Sequence, residues 1–127
     1  MKVLVIGGGG REHALVWRLR AGQGVNEVWC APGNGGIAPE AECLAADPGK
    51  VAEVVALAEK LHPDLTVVGP ELPLVRGLGD AFRDRKWPVV GPTKDAAQLE
   101  GSKVFAKEFL ERHKIPTATM YGAYDSP

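Results

Sequence analysis

The chain has 127 residues, of which 45% are hydrophobic and 24% charged, as is typical of one globular domain with a buried core. Its formal net charge of −1 excludes a bulk attraction to nucleic acid or to an anionic membrane surface. No apolar stretch approaches the roughly 20 residues of a membrane span, and the first residues lack a signal-peptide layout. We therefore expect a cytoplasmic protein with neither a nucleic-acid nor a membrane partner.

The opening segment predicts a strand, a glycine loop and a helix. Lys2–Ile6 is an apolar run typical of a buried parallel strand, and Glu12–Arg20 has a helical pattern. Glycines between them allow a tight turn and leave N–H groups free at the start of the helix, which suits a phosphate. Four glycines in a row exceed what a turn alone requires, so we favour phosphate binding by Gly7, Gly8, Gly9 and Gly10.

Two common phosphate-binding motifs do not fit this loop. The dinucleotide fingerprint G-x-G-x-x-G/A requires a small residue where this chain has Glu12 or His13. It also requires an acid near the end of the second strand, whereas Glu27 lies at the start of that strand. No Gly-Lys-Ser or Gly-Lys-Thr of a P-loop occurs. A dinucleotide oxidoreductase and a P-loop enzyme are therefore both disfavoured.

Strand and helix patterns alternate along the rest of the chain. Further strands are predicted at Val25–Ala31, Cys43–Ala46, Asp64–Gly69 and Trp87–Val90. Another helix is predicted to run to Leu61, with Asp47 as its N-cap and Pro48 at its first position. Further helices are predicted at Leu74–Arg85 and from the cap Thr93 to Leu99. A last helix is predicted after Ser102, with an apolar stripe of Phe105, Ala106, Phe109 and Leu110. Ile115 begins a new extended segment. The two cysteines, Cys30 and Cys43, predict neither structural zinc nor a disulfide, because they form no C-x-x-C pair.

This alternation predicts an α/β fold, a Rossmann-like parallel sheet with helices on both faces. In such sheets ligands bind beyond the carboxyl ends of the strands. Glycine and proline clusters follow four of the predicted strands, at residues 7–10, 32–36, 69–71 and 91–93. We therefore expect a ligand-binding edge there, although turns need the same residue types for purely structural reasons.

Polar residues within these clusters are the candidate ligand contacts. Arg11 places a cation at a helix N-terminus, which is unfavourable unless an anion lies there, so we expect it to contact phosphate. We expect Glu12 to cap N–H groups of its own turn, while His13 either contacts the substrate or packs there. Asn34 either binds the ligand or forms its glycine-rich turn. Glu71 can accept hydrogen bonds from ribose hydroxyls or an amine, or else cap the next helix.

Four segments of the chain carry its most specific motifs: Gly7-Gly8-Gly9-Gly10-Arg11-Glu12-His13-Ala14-Leu15, Ala31-Pro32-Gly33-Asn34, Thr66-Val67-Val68-Gly69-Pro70-Glu71 and Ala96-Ala97-Gln98-Leu99-Glu100-Gly101-Ser102-Lys103. With their order and spacing over the whole chain, they resemble the glycinamide ribonucleotide synthetase (phosphoribosylamine–glycine ligase) family of the ATP-grasp superfamily. Gly8 and Leu72 depart mildly from the family pattern.

The resemblance implies a pre-ATP-grasp substrate domain over residues 1–100 and the start of the ATP-grasp region over residues 101–127. It implies an ATP-dependent ligase of purine biosynthesis that joins glycine to 5-phosphoribosylamine and releases ADP and phosphate. ATP and Mg²⁺ (or Mn²⁺) would be bound mainly outside this chain, and the whole enzyme would be a monomer. The implied substrate-binding residues are Gly7, Gly8, Gly9, Gly10, Arg11, Asn34, Pro70 and Glu71, and the implied ATP-binding residue is Lys103.

The resemblance implies no catalytic residue in this chain. The ATP-grasp body and the metal-binding carboxylates would be missing, and the end at residues 124–127 looks truncated. We therefore expect these 127 residues to be inactive alone. The alternative is a free-standing Rossmann-like module that senses a ligand and performs no chemistry.

Overall fold

The computed structural model describes residues 1–119, which form an α/β domain of five strands and six helices. The strands are β1 (Lys2–Gly7), β2 (Glu27–Pro32), β3 (Glu42–Cys43), β4 (Leu65–Val68) and β5 (Val89–Val90). The helices are α1 (Gly10–Arg20), α2 (Val51–Leu61), α3 (Glu71–Val75), α4 (Leu78–Asp84), α5 (Lys94–Gly101) and α6 (Lys103–Arg112).

All strands of the sheet pair in parallel, in the order β3-β2-β1-β4-β5. β1 is central, and its Ile6 pairs with Ala31 of β2 on one side and with Val68 of β4 on the other. The chain builds outward from β1 to β3, then crosses back to place β4 on the opposite side of β1. The border of β1 and β4 is therefore the topological switch point, where open α/β sheets bind ligands. The predicted fold class is confirmed.

Helices cover both faces of the sheet because side chains of β1 alternate between two cores. Leu4 and Ile6 belong to the core that Phe82 of α4 and residues of α2 complete. Val3 and Val5 belong to the opposite core, to which Val16 of α1 contributes. Burial on both sides explains why β1 is a continuous apolar run.

Two predicted helices differ from the observed ones. Asp47 does not cap α2; its Oδ1 accepts a hydrogen bond from the N–H of Gly49 (2.8 Å), and this local turn delays the helix start to Val51. The single helix predicted at Leu74–Arg85 is two helices, α3 and α4. The chain turns between them at Gly77, whose φ of 94° is incompatible with a continuing helix.

Smaller differences concern the strands and one tryptophan. β3 and β5 have two residues each, shorter than predicted, since only those residues pair with the neighbouring strand. Trp17 lies on the outer side of α1 and is 63% exposed, although tryptophan is usually well buried. The extended segment from Ile115 forms no strand up to residue 119, and its remainder lies outside the described residues. Within residues 1–119, no helix is long and apolar enough to cross a membrane.

Candidate functional site

The four glycine- and proline-rich loops lie at the same edge of the sheet. They follow β1, β2, β4 and β5, and these strands run parallel, so their carboxyl ends meet there. This part of the prediction is confirmed. The loops after β1 and β4 flank the switch point, and the loop after β2 contacts the first of them.

Some backbone N–H groups of the glycine loop make hydrogen bonds within the domain, and others do not. The N–H of Gly9 donates to Oε2 of Glu12 at 2.6 Å. Among residues 1–119, no acceptor is paired with the N–H groups of Gly8, Gly10 or Arg11. These groups lie at the N-terminus of an 11-residue helix, where the helix dipole also favours an anion. The loop therefore retains donors for a phosphate, but not at Gly9.

Glu12 lies buried beneath this loop, with 3% of the residue exposed. The predicted capping of its own turn is confirmed by the bond from Gly9. Its side chain fills space that two glycines leave open. A Cβ on Gly7 would lie 2.6 Å from its Cγ, and a Cβ on Gly69 would lie 2.6 Å from its Cδ. Its second oxygen, Oε1, has no hydrogen-bond partner within the described part of the chain.

Arg11 lies among three carboxylates above the switch point. Its Nε is 3.4 Å from Glu12 Oε1, its Nη2 is 4.0 Å from Glu71 Oε2, and its Nη1 is 3.9 Å from Glu100 Oε1. The Arg11 side chain is 59% exposed. The pairs with Glu71 and Glu100 are exposed on both sides and contribute little energy, so an incoming phosphate can compete with them for the guanidinium.

Glu71 is the first residue of α3, and Pro70 is the N-cap with an extended backbone (φ −83°, ψ 157°). This geometry brings the Glu71 carboxylate to the Arg11 side of the crevice. The side chain is 45% exposed, which leaves its oxygens available to a ligand. The structure thus brings Arg11, Pro70 and Glu71 together with the glycine loop, as the sequence predicts. Their contact with substrate remains a prediction.

Asn34 ties the loop after β2 to the glycine loop. Its Nδ2 donates to the carbonyl oxygen of Gly8 at 2.8 Å. Its Oδ1 accepts from the N–H groups of Gly36 (2.8 Å) and Ile37 (3.0 Å). Of the two roles considered from the sequence, this geometry favours the turn-forming one, since both ends of the amide are engaged. Ligand contact by Asn34 stays untested.

His13 and Lys103 lie at the margins of this arrangement. His13 packs in the first turn of α1, with its Nε2 3.2 Å from Oε1 of Glu40. Lys103 begins α6 and is exposed; it takes part in none of the ion pairs found within residues 1–119. The structure therefore does not join Lys103 to the glycine loop.

Sequence reasoning missed two neighbours of the glycine loop. The thiol of Cys30 donates to the carbonyl oxygen of Gly7 at 3.3 Å, and burial, with Cys43 and Glu12 nearby, raises the pKa of Cys30 to about 11. Glu100 reaches Arg11 from the end of α5. No spacing rule links residues so far apart in the chain, so only the fold reveals these contacts.

The donor types at this edge suit a phosphorylated organic ligand. Within residues 1–119, no group of three or more His, Cys, Asp or Glu side chains is arranged to hold a metal. A glycine loop at a helix N-terminus, placed at the switch point of a parallel sheet, defines the class: a Rossmann-like α/β domain. The chain belongs to the family described as phosphoribosylglycinamide synthetase, N domain, which matches residues 1–100.

Individual relatives agree with this assignment. The chain is 56% identical over 120 residues to the phosphoribosylamine–glycine ligase of Pseudomonas putida, covering 93% of this chain and 28% of that protein. It is 52% identical over 126 residues to the Vibrio parahaemolyticus protein of the same name, covering 98% of this chain and 28% of that one. The chain therefore spans little more than a quarter of these relatives.

Solved structures support the same fold. The phosphoribosylamine–glycine ligase of Thermotoga maritima superposes with a TM-score of 0.65 at 32% identity, over 94% of this chain and 26% of that one. A Mycobacterium tuberculosis protein described as glycinamide-RNase-transformylase T superposes with a TM-score of 0.75 at 19% identity, over 94% and 37% of the respective chains. The second likeness shows the fold alone. Together with the family match, the first confirms the resemblance predicted from the four sequence segments.

Proposed function

We propose that this chain supplies the 5-phosphoribosylamine-binding part of an ATP-dependent phosphoribosylamine–glycine ligase of purine biosynthesis. One observation carries the proposal: unused backbone donors, a cation and a carboxylate converge at the switch point. The donors are N–H groups of the glycine loop, the cation is Arg11 and the carboxylate is Glu71. A phosphorylated sugar amine needs this combination, a donor set for phosphate and an acceptor for hydroxyl or amine groups.

The phosphate lies at the N-terminus of α1 in this proposal. There it accepts hydrogen bonds from the N–H groups of Gly8, Gly10 and Arg11, and the Arg11 guanidinium turns towards it. Glu71 then loses its ion pair with Arg11 and accepts from the ribose hydroxyls or the amine. Since the reaction joins a carboxylate to an amine, holding the amine in place is a large part of what this domain contributes.

The remaining substrates are proposed for the full-length enzyme. ATP transfers its γ-phosphoryl group to the glycine carboxylate and leaves as ADP; the bound amine then attacks this acyl phosphate and displaces phosphate. A divalent cation would neutralise the charge of the phosphates. The described residues offer no group of side chains for that cation, so we place its site outside residues 1–119. We propose that residues 101–127 begin the ATP-grasp region, where Lys103 contacts ATP. The full-length enzyme is proposed to be monomeric and cytoplasmic.

Titration with ribose 5-phosphate tests the proposal on the 127-residue chain. We expect Glu71→Gln to weaken binding by about tenfold if the carboxylate accepts from ribose hydroxyls. Glu27→Gln is the matched control, because Glu27 is equally exposed (45%) and lies at the opposite end of the sheet. No binding by the wild-type chain, or equal effects of the two substitutions, would contradict the proposal.

The same substitution can be made in a full-length ligase at the position matching Glu71. There we expect an increase in the apparent KM for phosphoribosylamine without a comparable change in the KM for glycine. A selective KM effect indicates lost binding of one substrate. An unchanged KM for phosphoribosylamine would remove Glu71 from the site.

A further inference from the structure

We infer that Glu12 is a positioning residue of this site, which sets the loop donors and the guanidinium that meet the ligand's phosphate. The inference rests on the proposed function and adds a role for a buried residue to which no ligand contact has been assigned. Glu12 is 97% buried, and its Oε1 makes no hydrogen bond within residues 1–119, where its nearest cation is Nε of Arg11 at 3.4 Å. Buried carboxylate oxygens are rarely left in this state, so the arrangement calls for an explanation.

The first part of the role of Glu12 is to accept the hydrogen bond of the Gly9 N–H, so that this group is not available to a ligand. Oε2 of Glu12 takes the N–H of Gly9 at 2.6 Å, a charge-assisted bond formed inside the loop itself. The N–H groups of Gly10 and Arg11 follow directly along the chain and have no acceptor within the described residues. A phosphate is therefore directed to the helix side of the loop, away from Gly9.

The second part is to separate the two loops that flank the switch point. The Glu12 side chain occupies the space between Gly7 and Gly69, since a Cβ on either glycine would collide with it. Gly7 ends β1, and Gly69 immediately follows β4 and precedes Pro70 and Glu71. The buried Glu12 side chain therefore fills the gap between these two segments, beside the hydrogen bond from the N–H of Gly69 to the carbonyl oxygen of Ile6 at 3.0 Å.

The third part is to orient Arg11. Its Nε lies 3.4 Å from Oε1 of Glu12, while its Nη atoms are directed outward to Glu71 and Glu100. Holding the Nε edge leaves the two Nη groups to face a ligand. Oε1 therefore acts on the ligand through Arg11 and does not contact it.

Backbone NMR of the wild-type chain during a ribose 5-phosphate titration tests the inference. We expect the amide signals of Gly8, Gly10 and Arg11 to shift and that of Gly9 to stay nearly unchanged. A dominant shift of Gly9 would support the proposed function but overturn the inference. The absence of shifts at this loop would overturn the proposed function, and the inference with it. This measurement needs no variant.

Substitutions of Glu12 separate positioning from mere stabilisation. Glu12→Gln keeps the size of the side chain and an oxygen that accepts from the N–H of Gly9. We therefore expect the Gly9 amide signal of this variant to remain unchanged on titration. Glu12→Ala releases Gly9, so we expect Gly9 to join the shifting amides and the dissociation constant to rise by about tenfold. A folded Glu12→Ala chain with wild-type affinity and an unchanged Gly9 signal would show a structural role alone.

A double-mutant cycle tests the separation of the loops without any ligand. Urea denaturation gives the unfolding equilibrium constant of each variant. We expect Gly69→Ala to raise this constant by about tenfold in the wild-type chain and only weakly in the Glu12→Ala chain. Gly35→Ala is the matched control, because nothing lies within 4 Å of a Cβ there. Equal effects of Gly69→Ala in both backgrounds would contradict the proposed packing of Glu12 against Gly69.

Discussion

At the scale of single residues, the candidate site depends on side chains that bind the loops to each other. Asn34 and Glu12 each hold backbone groups of the glycine loop, through Gly8 and Gly9 respectively. The sequence indicated a capping role for Glu12 but left Asn34 open between ligand and turn. Residue type alone cannot decide such cases, because an amide that forms a turn and one that binds a ligand look identical in a sequence.

Asn34→Ala should destabilise the chain by about 1–3 kcal/mol, since it removes the hydrogen bonds to Gly8, Gly36 and Ile37. Asn34→Asp keeps the acceptor but loses the bond to the Gly8 carbonyl oxygen, so we expect it to be destabilising as well. Urea denaturation measures both. Asn26→Ala serves as the control and should change stability little, because Asn26 is exposed and its Oδ1 accepts only one solvent-exposed hydrogen bond, from the N-terminal amino group at 3.3 Å. A neutral Asn34→Ala would show that this tie is unimportant.

Cys30 should make stability depend on pH in the alkaline range. The pKa of its thiol rises from an ordinary 9.0 to about 11 in the folded chain because burial disfavours the thiolate. The folded state therefore holds the proton more tightly, and this contribution is complete below pH 9 and lost as the pH rises to about 11.

The expected slope from this group is at most about 1.4 kcal/mol of unfolding free energy per pH unit. Urea denaturation of the wild-type and Cys30→Ala chains at several pH values separates the Cys30 contribution from those of other groups that titrate in the alkaline range. A Cys43→Ala chain should keep most of the dependence. Identical pH profiles for wild type and Cys30→Ala would disprove the assignment.

At the scale of elements, α4 and α6 show why an apolar pattern does not by itself locate a core. Both have apolar residues at helical spacing. Phe82 of α4 is fully buried against the sheet, whereas Phe105 of α6 is 38% exposed and no residue of α6 is buried. The pattern identifies a helix, but burial depends on whether the fold brings another element against it.

Phe82→Ala should therefore cost about 3–5 kcal/mol, because it leaves a cavity in a closed core. Phe105→Ala should cost less, about 1–2 kcal/mol, because this side chain is partly exposed and its removal leaves no closed cavity. Thermal or urea unfolding of the two variants makes a matched comparison of one residue type in two helices. Similar losses for both would show that α6 packs more tightly than the structure indicates.

At the scale of the whole molecule, the strand order creates the crevice. The chain adds β2 and β3 on one side of β1 and then crosses back to add β4 on the other side. The connections after β1 and β4 therefore diverge and leave a crevice between them. The loops after these two strands therefore supply Arg11 and Glu71 to one place. This domain spans only about a quarter of the length of its relatives. Substrate positioning is its proposed role, and the remaining chemistry is proposed for other parts of the full-length enzyme.

The 127-residue chain should form no glycinamide ribonucleotide above a no-enzyme blank when supplied with phosphoribosylamine, glycine, ATP and Mg²⁺. It should also bind ATP poorly, because we propose that ATP is bound mainly outside this domain. Product assay and calorimetric titration measure these outcomes. Tight nucleotide binding without turnover would favour the free-standing sensor instead, and product formation would contradict the assigned division of roles.

The sequence by itself determined the α/β class and the edge at which the loops gather, because alternation and parallel pairing place strand ends together. It also indicated Arg11 and Glu71, whose residue types are unusual at their positions. Only the tertiary structure decided the break at Gly77, the wedge of Glu12 between Gly7 and Gly69, and the approach of Glu100 to Arg11. These features depend on distances between residues far apart in the chain, and such distances exist only once the sheet has formed.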